Sequence, residues 1–539
     1  MRERVWSGEP SGSGTLDRTL TIMRRDIPRL AETPFDLLVV GAGIFGACAA
    51  WDASLRGLSV AVVDQGDFGA ATSANSLRIV HGGLRYLARG HFGRMRESIR
   101  ERSALLRIAP GLVEPLEVLV PTYGHGAQGR AAYAGALALN ELISSGRNRG
   151  LDTSSRIPPG RLVSNDECLA SYPWFPKEGL TGGAVWYDAQ LRHPERLTLS
   201  FLQSAARRGA QAANYLRVDS LLTSSGAVHG ARVTERLTGS QFEIRSRAVL
   251  VAAGPWTEGI INTAVSAPTS PETPLPLSTH ALAMNVVLDR RLAEVAVGVR
   301  ARSGSQEDPV CGGRRFLFCA PQGGRTVLGT WYTASSVGDE STRLHGAKAL
   351  VKEFNDACPE LDLTKRNVVD CQWGWLPLKN GNERGRPDAL AERTRITDHR
   401  AAHGVRYLIS VEGVKFTTAR RVVEQAIDRV FVSLGRAIPP CRTTEQQLDQ
   451  AMMPPEVTQT LTEEEIFRAV RQEMAVKLSD LVFRRTRLGA APKLQRRAVE
   501  AAARTFGVES GWDERRVVEE VDAVMREVGA PRIALETVA

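Results

Sequence analysis

The pattern of apolar positions along the chain predicts its elements in order. Leu37-Leu38-Val39-Val40 is an unbroken aliphatic run and predicts a strand buried on both faces. It runs into Gly41-Ala42-Gly43-Ile44-Phe45-Gly46, and Ala47 to Arg56 predicts a helix closed by Gly57. Val60-Ala61-Val62-Val63 predicts the next buried strand, which ends on Asp64. Helical patterns follow over 97–106, over 131–143 and from His193-Pro194 to Arg208, the last as a crossover. Val249 to Ala253 predicts a strand that returns to the first layer, and 262–278, rich in Pro, Ser and Thr, predicts a linker. Short strands over 281–288, 316–320, 326–329 and before Trp373 predict an antiparallel sheet. A strand over 407–411 leads through Gly413 to a helix over 419–434 that Thr417 or Thr418 would cap. Beyond residue 440 the pattern is helical. Thr462 and Glu465 form a capping box, and Ile466, Val470, Met474, Leu478, Leu481 and Val482 form an apolar stripe that predicts core.

The first of these units carries a chemical signature. Gly41 permits a tight turn, Gly43 lets backbone approach a pyrophosphate, and Gly46 lets helix pack on strand. The helix N-terminus then faces phosphate, and Asp64, 18 residues after Gly46, is placed to accept ribose hydroxyls. A carboxylate there fits an unphosphorylated ribose, hence FAD or NAD. The loop Gly69-Ala70-Ala71-Thr72-Ser73-Ala74-Asn75-Ser76 is small and hydroxyl-rich, suited to phosphate or a flavin edge. It leads into His81-Gly82-Gly83-Leu84-Arg85-Tyr86, a loop that brings backbone and polar side chains against a flavin ring.

Composition sets the frame. With 539 residues, 43% hydrophobic and 24% charged, the chain has room for two or three globular domains. Its net charge of +9 is dispersed, which reads as a solvated basic surface, and no nucleic-acid motif is present. Seven scattered cysteines form no CxxC and no metal-like cluster with histidine, which predicts reduced thiols, a cytoplasmic setting and no metal. No stretch predicts a transmembrane helix or a secretory signal. Residues 1–33 are a basic extension. In it Leu16, Leu20, Met23, Ile27 and Leu30 recur at helical spacing, suiting a helix that lies peripherally on a membrane surface or docks on the body.

Thr72-Ser73-Ala74-Asn75-Ser76 followed by His81-Gly82-Gly83-Leu84-Arg85-Tyr86-Leu87 closely resembles the FAD-dependent glycerol-3-phosphate dehydrogenases of the D-amino-acid-oxidase-like superfamily. Further likeness lies in Val249 through Gly254-Pro255-Trp256, in Arg315 to Thr330, in Leu408 to Thr418, and in Ser479-Asp480-Leu481 with Arg484-Arg485-Thr486. The resemblance spans residues 34–539. It implies an α/β protein: a discontinuous Rossmann-type FAD-binding domain (34–90, 195–260 and 396–436), an antiparallel-sheet substrate domain (91–194 and 261–395) and a C-terminal helical domain (440–539). It also implies FAD held by Gly41, Gly43, Ile44, Phe45, Gly46, Asp64, Thr72, Ser73, Ser76, His81, Gly82, Gly83, Gly254, Gly413, Lys415 and Thr417.

The implied activity is oxidation of the secondary alcohol of sn-glycerol 3-phosphate to dihydroxyacetone phosphate, with hydride passing to flavin N5. Arg85, Tyr86 and Lys415 would hold the small anionic substrate, with Arg85 and Lys415 also acting at the reacting centre. His280, after Ser278-Thr279, resembles the family's Gly-Ser-His and is the expected proton acceptor, with His81 second. Asp188 and His193 read as turn and cap residues. Two departures stand out. Where the family has Gly-x-Arg-Pro-Leu the chain has Gly374-Trp375-Leu376-Pro377-Leu378, so Leu376 replaces a phosphate-binding arginine, and a second arginine must be sought at Arg393 or Arg395. Losing one charge-assisted contact costs roughly 1.5–3 kcal/mol. A different small polyol or an amine is therefore the alternative substrate, and a flavin-binding regulatory protein is the reading outside enzymes. Quinone or oxygen as acceptor, and a homo-oligomer, stay open at this stage.

Overall fold

In the computed structural model the chain is described over residues 23–126, 129–265, 280–302, 315–335, 340–379, 390–391, 393–449, 459–491 and 494–537. The N-terminal part of the expected amphipathic helix (Leu16, Leu20), most of the expected linker, Ser278-Thr279 and Cys311 lie outside these residues. Strands in chain order are β1 Phe35–Val40, β2 Val60–Val63, β3 Ile79–Val80, β4 Val113–Tyr123, β5 Arg161–Val163, β6 Leu180–Leu191, β7 Gln211–Ala213, β8 Leu216–Ser224 and β9 Ala227–Glu235. They continue as β10 Gln241–Val251, β11 His280–Leu288, β12 Ala296–Arg300, β13 Phe316–Gln322, β14 Arg325–Ser335, β15 Val368–Pro377, β16 Arg395–Asp398 and β17 Leu408–Glu412.

Among the described residues these strands form two sheets. The first runs β16-β17-β10-β1-β2-β7, with β8 and β9 added to β10 as a meander. Its central pairs are parallel: Leu38 lies beside Ala61 and Val249, and Leu250 beside Ile409. Three sequence-distant segments thus meet in one layer, as the returning strands predict. The helix Ile44–Leu55 is buried nearly all round, because helices Pro194–Ala206 and Ala419–Ser433 flank it, and Trp51 packs edge-on to Phe201 at 5.3 Å. Such a sheet presents its ligand crevice at the carboxyl ends of the strands, where Gly41, Asp64, Gly254 and Gly413 follow β1, β2, β10 and β17.

The second sheet, β15-β11-β14-β13-β12-β4-β6-β3 with β5 on β6, is antiparallel except for β12 beside β4. Ile79–Val80 pairs with β6 here, so this short strand, inside the expected 34–90 segment, belongs to the second sheet. Helix Phe92–Ile108, expected in the substrate domain, sends Leu105, Leu106 and Ile108 into the first core. Helix Glu340–Ala357 covers one face of the second sheet, interrupting the region expected to be short strands. Residues 262–265, expected as linker, complete helix Thr257–Val265.

The described end of the basic extension docks on the body. Met23 and Leu30 are fully buried, and Arg25 pairs with Glu235. A C-terminal module follows from residue 459, opened by the expected Thr462–Glu465 capping box. Its stripe is core, except that Met474, at φ +51°, ends the helix and turns into the first core.

Candidate active site

The glycine turn is as tight as its spacing predicts. A Cβ on Gly46 would sit 1.8 Å from the Gly41 carbonyl oxygen, and one on Gly41, at φ +95°, 2.6 Å from that of Ala252. Gly43 caps helix Ile44–Leu55 without a side-chain bond, leaving N–H groups directed out of the helix end. Ser73 Oγ accepts from Ile44 N at 3.0 Å and brings the hydroxyl-rich loop over this end. Asp64 follows β2 with its carboxylate accepting from Ala42 N at 2.7 Å and Gly66 N at 2.9 Å. Desolvation outweighs these two donors and lifts its pKa to about 6.

The two sheets meet at the next loop. Thr72 Oγ1 accepts from Trp375 N at 3.0 Å, and a Cβ on Gly374 would lie 2.7 Å from Thr72 Cγ2. Ser76 Oγ accepts from Arg78 N, holding the approach to β3. The His81-Gly82-Gly83 loop is fastened by a residue the sequence reading assigned to a turn. Asp188 lies within β6, buried, and accepts from Gly82 N at 2.5 Å, Arg102 Nη1 at 3.0 Å and Trp186 Nε1 at 3.1 Å. Gly82 has no room for a side chain, since a Cβ would lie 2.5 Å from Arg102 Nη1. His193 occupies the N-cap position of helix Pro194–Ala206, but its ring accepts from Arg487 Nε at 2.6 Å and does not cap.

Residues from the two ends of the body converge here. Gly413 lies against Phe45, so closely that a Cβ on it would be 1.9 Å from the ring. Two residues on, Lys415 Nζ hydrogen-bonds Tyr86 Oη and lies 4.7 Å from the centre of its ring. Arg85 lies 5.4 Å from the same ring and His81 6.1 Å. Desolvation is the largest single effect on the buried Tyr86 phenol and raises its pKa, but the charges and hydrogen bonds of Arg85 and Lys415 together outweigh it and hold the phenol below its usual value. Burial, with Arg85, Lys415 and Arg102 nearby, keeps His81 well below the ordinary histidine range, so it is neutral at pH 7. Its Nδ1 is buried without a hydrogen-bond partner.

Other expected residues fall differently. Thr417 is buried in the turn Phe416–Thr418; Thr418 is the N-cap of the helix that follows, yet neither hydroxyl caps it. Gly254, at φ +56°, opens the turn Gly254–Trp256 after β10. In β11, Ala281 and Ala283 pair with Leu376 and Gly374 on the face turned to Thr72. Strand alternation sets His280 with Leu282 and Met284, on the opposite face, where Met284 packs beneath helix Glu340–Ala357. His280 is thereby separated from the face that Leu376 shares. Leu376 is half-buried, Arg395 pairs with Glu412 at 3.3 Å, and Arg393 is exposed.

This geometry fits FAD on three observations: glycines that admit backbone but no Cβ, a helix N-terminus beside a partly open ribose-side carboxylate, and the unpartnered His81 Nδ1 in the polar loop beyond. Comparison with known proteins agrees. Residues 36–430 match the FAD dependent oxidoreductase family, and 433–517 match the C-terminal domain of alpha-glycerophosphate oxidase. A glycerol-3-phosphate dehydrogenase from Synechocystis is 30% identical over 446 residues, covering 79% of this chain and 75% of the relative. An aerobic glycerol-3-phosphate dehydrogenase from Staphylococcus aureus is 28% identical over 433 residues, covering 78% and 72%. The solved structure of the Bacillus halodurans glycerol-3-phosphate dehydrogenase complexed with FAD shares the fold, with TM-score 0.70 and 22% identity over 95% of this chain and 98% of that one.

Proposed function

Because this chain belongs to the FAD-dependent oxidoreductases, in the family of the glycerol-3-phosphate dehydrogenases, we propose that it oxidises sn-glycerol 3-phosphate to dihydroxyacetone phosphate. One observation carries the reading most directly. Arg85, Tyr86 and Lys415, separated by 329 residues between Tyr86 and Lys415, form one cationic cluster beside the nucleotide crevice. Bound FAD supplies the two-electron acceptor at N5 of its ring system.

The protein's own residues bind and orient the substrate. Arg85 is exposed and carries a planar fork suited to a phosphate. Lys415 presents a second positive charge, and Tyr86 Oη, fixed by it, offers a polar atom to the substrate hydroxyls. His280 is not supported as proton acceptor, because alternation along β11 turns it toward the second core. The neutral His81 ring and Tyr86 Oη are the groups of the cluster that can hydrogen-bond the substrate hydroxyl, while burial and the neighbouring cations oppose a proton settling on His81. The residues named for FAD are Gly41, Gly43, Ile44, Phe45, Gly46, Asp64, Thr72, Ser73, Ser76, His81, Gly82, Gly83, Gly254, Gly413, Lys415 and Thr417. The first six of these surround the helix end and ribose-side carboxylate.

A second reading, favoured by Leu376 alone, is a polyol or amine without phosphate, since an aliphatic side chain shares the face turned to Thr72. Electrons would pass to a quinone or to oxygen. Among the described residues no helix is long and apolar enough to cross a membrane. Steady-state oxidation of glycerol 3-phosphate, glycerol and small amines, each with a soluble quinone and with oxygen, tests both readings. Dihydroxyacetone phosphate formed with the highest kcat/KM supports the first. Faster turnover of an unphosphorylated substrate refutes it.

A further inference from the structure

The C-terminal module meets the nucleotide domain through charges that are almost completely withdrawn from water. Asp67, three residues after Asp64, is the centre. Its carboxylate accepts from Arg485 Nη1 and Nη2 at 2.8 and 2.7 Å, from Arg484 Nε at 2.5 Å and from Asn214 Nδ2 at 3.0 Å. Side-chain exposure is 0% for Asp67 and 1% for Arg485. A buried carboxylate with two guanidiniums and an amide has its lone pairs satisfied, and its geometry is fixed by planar forks.

The other end of that loop belongs to the cofactor crevice. Gly69 N donates to Ala42 O at 3.0 Å, tying it to the glycine turn, and Leu216 N donates to Asp64 O at 2.7 Å. The module is itself anchored: Arg196 binds Glu473 through two bonds of 2.6 and 2.9 Å, and Arg485 Nε donates to Glu473 O at 2.9 Å. The arginines therefore reach Asp67 from a fixed frame.

We propose that the C-terminal module is a clamp on the cofactor loop, with Arg484 and Arg485 as positioning residues that hold residues 64–69 in the shape that receives the ribose side of FAD. The proposal rests on the reading of Gly41 to Asp64 as the dinucleotide site. Without the clamp, Asp67 is an uncompensated buried anion beside Asp64, and the loop must open to hydrate it.

The test is FAD titration of full-length, flavin-free protein, read by quenching of flavin fluorescence, with folding checked by circular dichroism. Arg485→Met is expected to weaken FAD binding at least about tenfold, the share of a lost charge-assisted contact. Arg485→Lys, which keeps the charge without the fork, should fall between it and the wild type. Arg471→Met, which removes an exposed pair with Glu509 in the same module, should bind FAD as the wild type does. If Arg485→Met does not fold, Arg484→Met carries the test, since Arg485 still covers Asp67, and weaker FAD binding is expected there too. Folded Arg484→Met or Arg485→Met with wild-type affinity, alongside a weakened Asp64→Asn, overturns the clamp and leaves the site standing. Wild-type affinity in Asp64→Asn as well overturns both.

Discussion

Gly413→Ala is the sharpest perturbation of the contact between the two ends of the site. The added methyl would fall 1.9, 2.3 and 2.5 Å from Phe45 Cε2, Cζ and Cδ2. Ordinary carbon contact is near 3.5 Å, so ring and loop must separate by roughly 1.5 Å. Phe45 stands in the first turn of a helix whose Gly46 is locked on Gly41, and helical residues have few alternative χ1 wells. Part of the displacement therefore passes to the loop that carries Lys415, two residues on. Overpacking of this kind costs about 1–3 kcal/mol of stability. A shift of about 1 Å at a positioning residue costs about a hundredfold in rate. Gly413→Ala should lose about that factor in kcat/KM for glycerol 3-phosphate and bind FAD more weakly. Gly413→Ala with Phe45→Ala, which opens the space the methyl needs, should recover most of the loss. The assay is steady-state kinetics with FAD titration and thermal melting on all three variants. Unchanged kinetics in Gly413→Ala, or a double variant no better than the single one, would refute the reasoning.

Three further outcomes follow from the same geometry. Lys415→Met removes one charge-assisted contact and should lower kcat/KM for glycerol 3-phosphate about 10- to 150-fold while the purified protein keeps its flavin colour; equal kcat/KM would remove Lys415 from the substrate site. Leu376→Arg restores a cation on the face turned to Thr72 and should raise kcat/KM for the phosphorylated substrate at least about fivefold relative to glycerol; a ratio that stays put or falls counts against phosphate binding there. Asp64 has a folded pKa of about 6, above its unfolded value, so in flavin-free protein it contributes stability below about pH 4 that is lost as pH rises through 6. Ribose hydroxyls bind the ionised carboxylate, so FAD affinity should fall as pH drops below about 6 and stay flat in Asp64→Asn, as read by titration at each pH.

What the chain reveals before folding depends on the range of the interaction. The strand, glycine turn, helix and second strand over 35–63 are legible because each rests on neighbours within a few residues. The long pair β4 and β6 is not, because Pro115, Pro121, Gly182 and Gly183 break its alternation. Helix Glu340–Ala357 carries Gly346 in its middle, where Trp331 and Met284 leave no space for a side chain, and that glycine weakens its helical pattern. In the site, the His-Gly-Gly-Leu-Arg-Tyr run is readable as a motif. Its fastening to Asp188, 106 residues away, and the Arg485–Asp67 contact across 418 residues leave no local trace. His280 shows the same limit in another form: a motif can name a residue, but only the pairing of β11 with β15 fixes the face it occupies.

The most direct measurement of the account is anaerobic titration of the purified yellow protein with glycerol 3-phosphate, following visible flavin absorbance. Stoichiometric bleaching, with dihydroxyacetone phosphate released and no bleaching by glycerol at the same concentration, is the predicted result. Absorbance that holds steady under glycerol 3-phosphate while an amine or a free polyol bleaches it would contradict the account.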